Sequence, residues 1–483
     1  MPTRDTIVLY NPAAESFALP LGIMALASYL RGRGLRFRIL DGRLGDDPLA
    51  VVGAEPERIL LFGCSVLTGA PILPCIRASR AVKLRYPDIP VVWGGWHPSI
   101  LPEQCLRAGA CDAVVRNQGE ESFAELVERL ISGRDLEGCA GISFVGPEQS
   151  IVSNPDRAFS DVNGFPPMDY GLIDPERYFR FKGKRQLDYV ASQGCPFRCA
   201  FCSDPKLFGG RWAGLKAERV VAEVVELARR YRLGEVFFND DLFFTSPKRL
   251  EAICDGLIAA GRPVSWLAEA RADLLDRVGD ALLDKVRASG CRKLTIGAES
   301  GSQRSLDAMH KKTLVEQVER CAERLTRHGI LAQYSFIAGF PDETDADRSE
   351  TIHLIRRIKK IHGQIDTPIF YFTPYPGTAL TERLVELGVE LPEKLEDWAC
   401  FELGQAQLPW MDPGFVERVG AWNYYLERGY RRPYEPRNPL AWILAGVARL
   451  RSELGYYDHP WEMRWAQARA RRTLDDPCPG GKY

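Results

Sequence analysis

The sequence predicts an α/β protein in three parts. They are a Rossmann-like domain over residues 1–150, a partial (β/α)6 TIM barrel over 188–380 and a helical cap over 381–483, with a strap at 151–187. Two observations predict it. Short β-branched runs alternate with amphipathic segments through the first 150 residues, and the alternation restarts near Asp188 and runs to about Leu380. Such alternation argues for parallel strands covered by helices, because each parallel pair needs a crossover that packs back on the sheet.

In the first part the strand candidates are Thr6–Tyr10, Phe37–Leu40, Ile59–Phe62, Pro90–Val92 and Ala113–Val115. Leu21–Arg33 and Pro71–Arg85 carry helical periodicity between them. Ligands of such sheets bind beyond the carboxyl ends of the strands. The Pro- and Asp-rich passage from Asn154 to Pro175 reads as the strap. The second set of strands is Tyr189–Ala191, Glu235–Phe238, Val264–Ala268, Lys293–Ile296, Ala332–Ile337 and Pro368–Phe372. Helices at Ala217–Tyr231, Lys248–Ala260, Gly279–Ser289, Leu314–His328 and Ala346–Ile361 join them, which suits three quarters of a TIM barrel. Functional residues then belong at the strand ends and the loops that follow. Trp422–Tyr430 and Trp442–Leu450 read as helices of the cap.

The 63 basic and 64 acidic residues leave a net charge of −1, so no overall field draws nucleic acid or an anionic membrane. Arg431, Arg432, Arg464, Arg469, Arg471 and Arg472 read as a solvated helix face. The apolar run from Pro439 to Leu450 is far short of the ~18 residues of a membrane span. Met1-Pro-Thr-Arg-Asp5 passes straight into a strand, so no leader and a cytoplasmic location are expected. The thirteen cysteines are odd in number, and ten are isolated enough to be small buried apolar residues.

The other three form Cys195-Pro-Phe-Arg-Cys199-Ala-Phe-Cys202, a C-x3-C-x2-C directly after the first strand of the second set. Three thiolates on one loop can hold three irons of a 4Fe–4S cluster and leave the fourth open to a ligand. A structural zinc site is closed by four ligands, and no fourth Cys or His lies nearby in sequence. Chance spacing of inert cysteines is the other alternative. The motif, its place and the half-open barrel resemble the radical SAM superfamily over about Asp188 to Leu380. The resemblance implies that S-adenosylmethionine (SAM) chelates the open iron and yields a 5′-deoxyadenosyl radical. It places Phe201 near the adenine, Asp240 or Asp241 near the SAM amino group, and Arg271 on the SAM carboxylate, where a plain strand-end turn and a surface ion pair are the alternatives for the aspartates and the arginine. Glu299 and Ser300 match the segment that meets ribose or amine, and Gly339, in Gly-Phe-Pro-Asp-Glu343-Thr, matches the adenine-side turn.

The first part resembles the cobalamin-binding domain that precedes this barrel in one large subgroup. The matching pieces are Ser65-Val-Leu67, Gly94-Gly95 and Gln118-Gly119-Glu120. Glycines there would let a flat corrin approach the backbone, and Ser65 and Thr68 would hydrogen-bond its nucleotide tail. Corrinoid domains that ligate cobalt carry D-x-H-x-x-G after the second strand. Here Asp41-Gly42-Arg43 puts arginine at the histidine's place, and Asp46 replaces the glycine. A guanidinium cannot act as a normal cobalt ligand, so cobalamin is expected without a protein histidine on cobalt. His97 is read as a loop histidine against the tail or solvent.

The subgroup implies methyl transfer to an unactivated carbon through methylcobalamin and a 5′-deoxyadenosyl radical. A cyclising, ring-rearranging or oxidative reaction with the same cofactors is the alternative. A methylthiotransferase would need a second cysteine triad, for which Cys64, Cys75 and Cys105 are poorly spaced. A corrinoid sensor or carrier would not need the SAM-type strand ends. The aromatic run Phe370–Gly377 suits an apolar or ring-bearing small molecule, although such residues equally serve a core. A flavodoxin or ferredoxin is the expected reductant, and no nucleic acid partner is expected.

Overall fold

A computed structural model describes residues 4–14, 18–401, 410–411, 414–431 and 439–474, the last six of these by backbone alone. Arg432 and the side chains of Arg469, Arg471 and Arg472 lie outside that description. The first sheet contains β1 (Thr6–Asn11), β2 (Arg36–Asp41), β3 (Ile59–Ser65), β4 (Val91–Gly94), β5 (Ala113–Val115), β6 (Ile142–Val145) and β7 (Ile151–Ser153). Its order is β2-β1-β3-β4-β5-β6-β7. The first five pair in parallel, and β6 and β7 are antiparallel additions. Side chains alternate along β1, so Ile7 and Leu9 join a core with Ile23 and Phe123 while Val8 and Tyr10 join one with Ile76 and Trp93. Strand order reverses between β1 and β3, which opens a crevice at their carboxyl ends.

The second sheet contains β8 (Gln186–Tyr189), β11 (Glu235–Phe238), β12 (Ser265–Ala270), β13 (Cys291–Glu299), β14 (Leu331–Ala338) and β15 (Ile369–Tyr371). They are parallel and lie in sequence order, β8 to β15, as an open (β/α)6 barrel requires. Between β8 and β11 a small antiparallel hairpin forms from β9 (Ser192–Gly194) and β10 (Trp212–Gly214). Helices Ala217–Tyr231, Pro247–Ala259, Asp280–Ala288, Val315–Arg327 and Asp345–Ile361 cover the outside. The observed β8 ends at Tyr189, whereas the sequence suggested Tyr189–Ala191. The chain leaves the sheet there because the Asp240 carboxylate takes the Ala191 N–H at 2.7 Å.

The barrel's outer strand is closed by a side chain. Asn423 donates to the Ile369 carbonyl and accepts its N–H, both at 2.8 Å, as a neighbouring strand would. Asn423 lies on helix Phe415–Tyr430, which buries Val419, Trp422 and Tyr425 in the barrel's core. Helices Pro439–Leu454 and Trp461–Leu474 follow it. Leu395 and Trp398 instead pack into the core of the first sheet. Among the described residues no helix is long and apolar enough to cross a membrane.

Asp188 on β8 joins the parts. Its carboxylate holds Lys182 Nζ at 2.7 and 2.8 Å and accepts the Leu19 N–H at 2.6 Å, while its carbonyl accepts from Tyr170. Both charges of the pair are buried. Asp188→Ala strands the Lys182 ammonium, so urea unfolding should show a loss of about 3–5 kcal/mol. Replacing both, with Lys182→Met and Asp188→Leu, should cost less than the single change.

Candidate active site between the two sheets

The chain turns out of β8 and enters the triad loop through Gly194. That residue has φ +76°, and a Cβ there would lie 2.4 Å from the Arg211 carbonyl, so only glycine fits. Cys199 is buried, and Cys195 and Cys202 are half-buried. The loop is pinned at its middle, where the Ala200 N–H meets the Met309 carbonyl and the Ala200 carbonyl accepts from Leu380, both at 2.8 Å. Among the described residues no three Cys, His, Asp or Glu side chains converge on one point as a single metal ion requires. A cubane asks for something different, one thiolate at each of three separate irons, and the triad's one short loop fits that need.

Two carboxylates from the loop after β11 hold the turn. Asp240 accepts from the Ala191 N–H and the Ser192 hydroxyl, and Asp241 accepts from the Gly194 N–H at 2.9 Å. Burial pushes the Asp240 carboxyl up to about 7. Arg271, after β12, donates from Nη1 to Cys199 Sγ at 3.4 Å and from Nε to Asp273 at 2.9 Å. Its Nη2 serves the Lys311 carbonyl and the Thr313 hydroxyl. Glu299 has φ +63°, a strained left-handed position for a side chain, and its carboxylate binds Lys311 Nζ at 2.6 Å. Ser300 is fully buried with its hydroxyl on Thr351 at 3.1 Å. Gly339, at φ +90°, gives its N–H to Glu343 and its carbonyl to the Trp410 indole. Phe201 meets the Phe340 ring edge-on at 6.2 Å.

Two carboxylates escaped the sequence reading. Asp204 lies two residues past Cys202, buried with Oδ1 unpartnered, and burial with Asp241 nearby raises it to about 8. Glu269 projects from β12 and, among the described residues, has no hydrogen-bond or ion-pair partner. Depth and the Asp241 and Glu299 carboxylates raise its pKa, although the side chain stays open to the cavity and water tempers the effect. Its position near the end of a strand, with alternate neighbours Ala268 and Ala270 buried, was the available signal.

A cavity of about 680 Å³ spans the carboxyl ends of both sheets. Ser65, Leu67, Gly94, Gly95, Gly119 and Glu120 line it from the first, and Ser192, Asn239, Asp240, Asp241 and Glu269 from the second. Gly95 needs its φ of +99°, since a Cβ would sit 2.8 Å from the Val66 carbonyl. Glu120 accepts from Gln193 at 3.1 Å, and Gln193 accepts from Gln118 at 2.7 Å, which ties the two sheets beside the cavity. Arg43 lines the cavity with its guanidinium paired to Asp41, and Tyr178 supports Asp41 at 2.9 Å. Thr68 is turned away, bonded to His97 Nδ1 at 3.0 Å. The reading of His97 is corrected: it is fully buried on the short helix Trp96–Ile100, with its ring 5.7 Å from that of Trp398, and meets neither solvent nor the cavity. The cause is Trp398, some 300 residues away in sequence.

The sequence matches the Radical SAM superfamily over residues 189–355 and the B12 binding domain over residues 9–127. It is 32% identical to an uncharacterised methyltransferase of Pyrococcus horikoshii, across 76% of this chain and 78% of that one. The chain belongs to the cobalamin-dependent radical SAM enzymes. This radical SAM enzyme is also 29% identical to the anaerobic magnesium-protoporphyrin IX monomethyl ester cyclase of Rubrivivax gelatinosus, across 83% and 71% of the two chains. Its fold is shared with the cobalamin-dependent radical enzyme OxsB at a TM-score of 0.73 and 19% identity, over 94% of this chain and 72% of that one. The methyltransferase TsrM of Kitasatospora setae aligns at 0.69 and 17% identity, over 98% and 100%. Its cofactors are a 4Fe–4S cluster, SAM and cobalamin. The residues present fit them: the unpaired Glu269 carboxylate on the cavity wall suits a sulfonium or an ammonium, and bare glycine backbone at the carboxyl ends of β4 and β5 suits a flat corrin.

Cys199→Ala should abolish the 4Fe–4S absorbance of anaerobically reconstituted protein and leave cobalamin uptake intact. A variant that keeps the cluster would remove Cys199 from the ligand set. A pH effect follows from His97, whose burial lowers its pKa to about 4. Falling pH protonates the unfolded chain first, near 6.5. The stability it lends is therefore whole above pH 6.5 and is lost by about pH 4, a change of about 3 kcal/mol. His97→Gln should flatten that part of the stability profile measured by denaturant unfolding.

Proposed function

We propose that this enzyme methylates an unactivated carbon of a small-molecule substrate held between the two sheets. One observation carries the proposal: Asp240 and Asp241, which hold the turn into the triad loop, line the same cavity as the glycine-rich strand ends of the first sheet. When bound, the cluster with SAM supplies a 5′-deoxyadenosyl radical and cobalamin supplies the methyl group. Cys195, Cys199 and Cys202 hold the cluster, and Phe201 offers its ring to the adenine. Asp240 and Asp241 hold the loop that carries the triad, through the N–H groups of Ala191 and Gly194. Glu269, unpaired and open to the cavity, and Asp241 near it offer acceptors where SAM brings positive charge. The Ser300 hydroxyl and the Gly339 backbone already serve the protein's own hydrogen bonds.

Ser65, Leu67, Gly94, Gly95, Gly119 and Glu120 receive the corrin, with Thr68 held behind them by His97. Arg43 faces the cavity without a lone pair to offer, so no protein histidine ligates cobalt. Leu21, Leu26, Trp96 and Phe208 give the cavity apolar walls that suit an apolar or ring-bearing substrate and exclude water from it. A cytoplasmic location and a flavodoxin- or ferredoxin-type reductant belong to the same proposal. The likeness to the Rubrivivax gelatinosus cyclase supports a second reading, ring formation without net methylation. Product analysis with methyl-labelled SAM separates the two. Methylation should yield S-adenosylhomocysteine and 5′-deoxyadenosine in equal amounts with label in the product, whereas 5′-deoxyadenosine alone supports the cyclase reading.

A further inference from the structure

Arg271 stands directly after β12 with its guanidinium buried against the triad loop. Besides its contact with Cys199 Sγ, its plane lies 3.7 Å from the ring centroid of Phe197, between the first two cysteines. Four of its five N–H groups have protein acceptors: Asp273, the Lys311 carbonyl, Thr313 and Cys199. Thr313 also donates to Asp273 at 3.1 Å, which fixes the carboxylate that anchors Nε. A second buried cation, Lys311, lies 5.7 Å from the Phe201 ring. Between them the two cations bracket the segment from Phe197 to Phe201.

We propose that Arg271 is a positioning residue for the cluster, hydrogen-bonding the Cys199 thiolate and raising the cluster's reduction potential rather than gripping the SAM carboxylate. The proposal rests on the assignment of Cys195, Cys199 and Cys202 as the cluster's ligands. One-electron reduction adds a negative charge to the cube, and a fixed guanidinium one hydrogen bond away favours that state over the oxidised one. The N–H also draws electron density from the sulfur, and burial keeps water from screening either effect. Phe197 and Asp273 hold the planar fork in place without any help from SAM. A bidentate grip on a carboxylate needs two parallel free N–H groups, and Arg271 has one left.

The test loads wild type, Arg271→Gln and Arg271→Lys anaerobically with iron and sulfide. Iron content is measured, and a redox titration with dithionite follows the EPR signal of the reduced cluster in the absence of SAM. Arg271→Gln should keep its iron and become about tenfold harder to reduce, a midpoint about 59 mV more negative for one electron. Arg271→Lys keeps the charge but loses the fork and the stacking, so its midpoint should fall between the two. A Gln variant with full iron and an unchanged midpoint overturns the proposal. So does a shift that arises only after SAM is added, since that places Arg271 on the SAM carboxylate. If the Gln variant loses its cluster, an unchanged midpoint in Arg271→Lys overturns it and a negative shift supports it. Wild type that takes up iron but forms no 4Fe–4S cluster refutes the ligand assignment itself, a result no midpoint can mimic.

Discussion

The carboxylates of Asp240 and Asp241 decide where the chain goes after its first barrel strand. A strand that ended freely would leave the N–H groups of Ala191 and Gly194 without partners, and buried donors of that kind are costly. The loop after β11 supplies both acceptors, so β8 stops at Tyr189 and the chain swings into the β9–β10 hairpin. The triad follows immediately, on a loop whose entry is set by two ionic hydrogen bonds and a glycine no other residue could replace. Everything the barrel offers to a cluster depends on that turn.

The second constraint is that two sheets present their carboxyl ends to one cavity. A parallel sheet gathers its loops at one end, and here two such ends are held face to face, with polar contacts among those that fix them. Asp188 binds Leu19 and Lys182, and Gln193 spans to Glu120 and Gln118. These contacts are polar and buried, so they specify orientation more than they add stability. The C-terminal chain adds a clasp, with Trp398 in the first core and Asn423 on the last strand of the second.

Much of this was legible in sequence because it is local. The period-two and helical patterns located the parallel strands, with β8 touched only at Tyr189, and Glu235–Phe238 and Ala113–Val115 matched to the residue. The β9–β10 hairpin escaped because Ser192-Gln-Gly194 and Trp212-Ala-Gly214 carry no β-branched residue to mark a strand, and the β6–β7 hairpin was missed as well. The triad and the glycine turns were readable because their spacing is itself the signal. What could not be read were partners distant in sequence. His97 looked like a loop residue until Trp398 covered it, and Arg271 looked like a cation awaiting a carboxylate until Cys199, Asp273 and Thr313 took its donors.

The cavity floor shows why these distant pairings matter for chemistry. Burial, with the Asp241 carboxylate nearby, raises Asp204, Asp240 and Glu269, and Glu299, held by Lys311, adds to the effect on Glu269. Carboxylates left in that state hold protons more readily than usual, and the arrival of a sulfonium and an ammonium reverses the balance. Arg271 and Lys311 stand elsewhere, around the cysteine loop, where they meet sulfur and aromatic rings. Arg271 is thus placed against the thiolates, while Arg43, the cation on the cavity wall, is already paired to Asp41. A cationic cofactor finds an unpaired acid there, and the iron–sulfur cluster finds its compensating charge already built in.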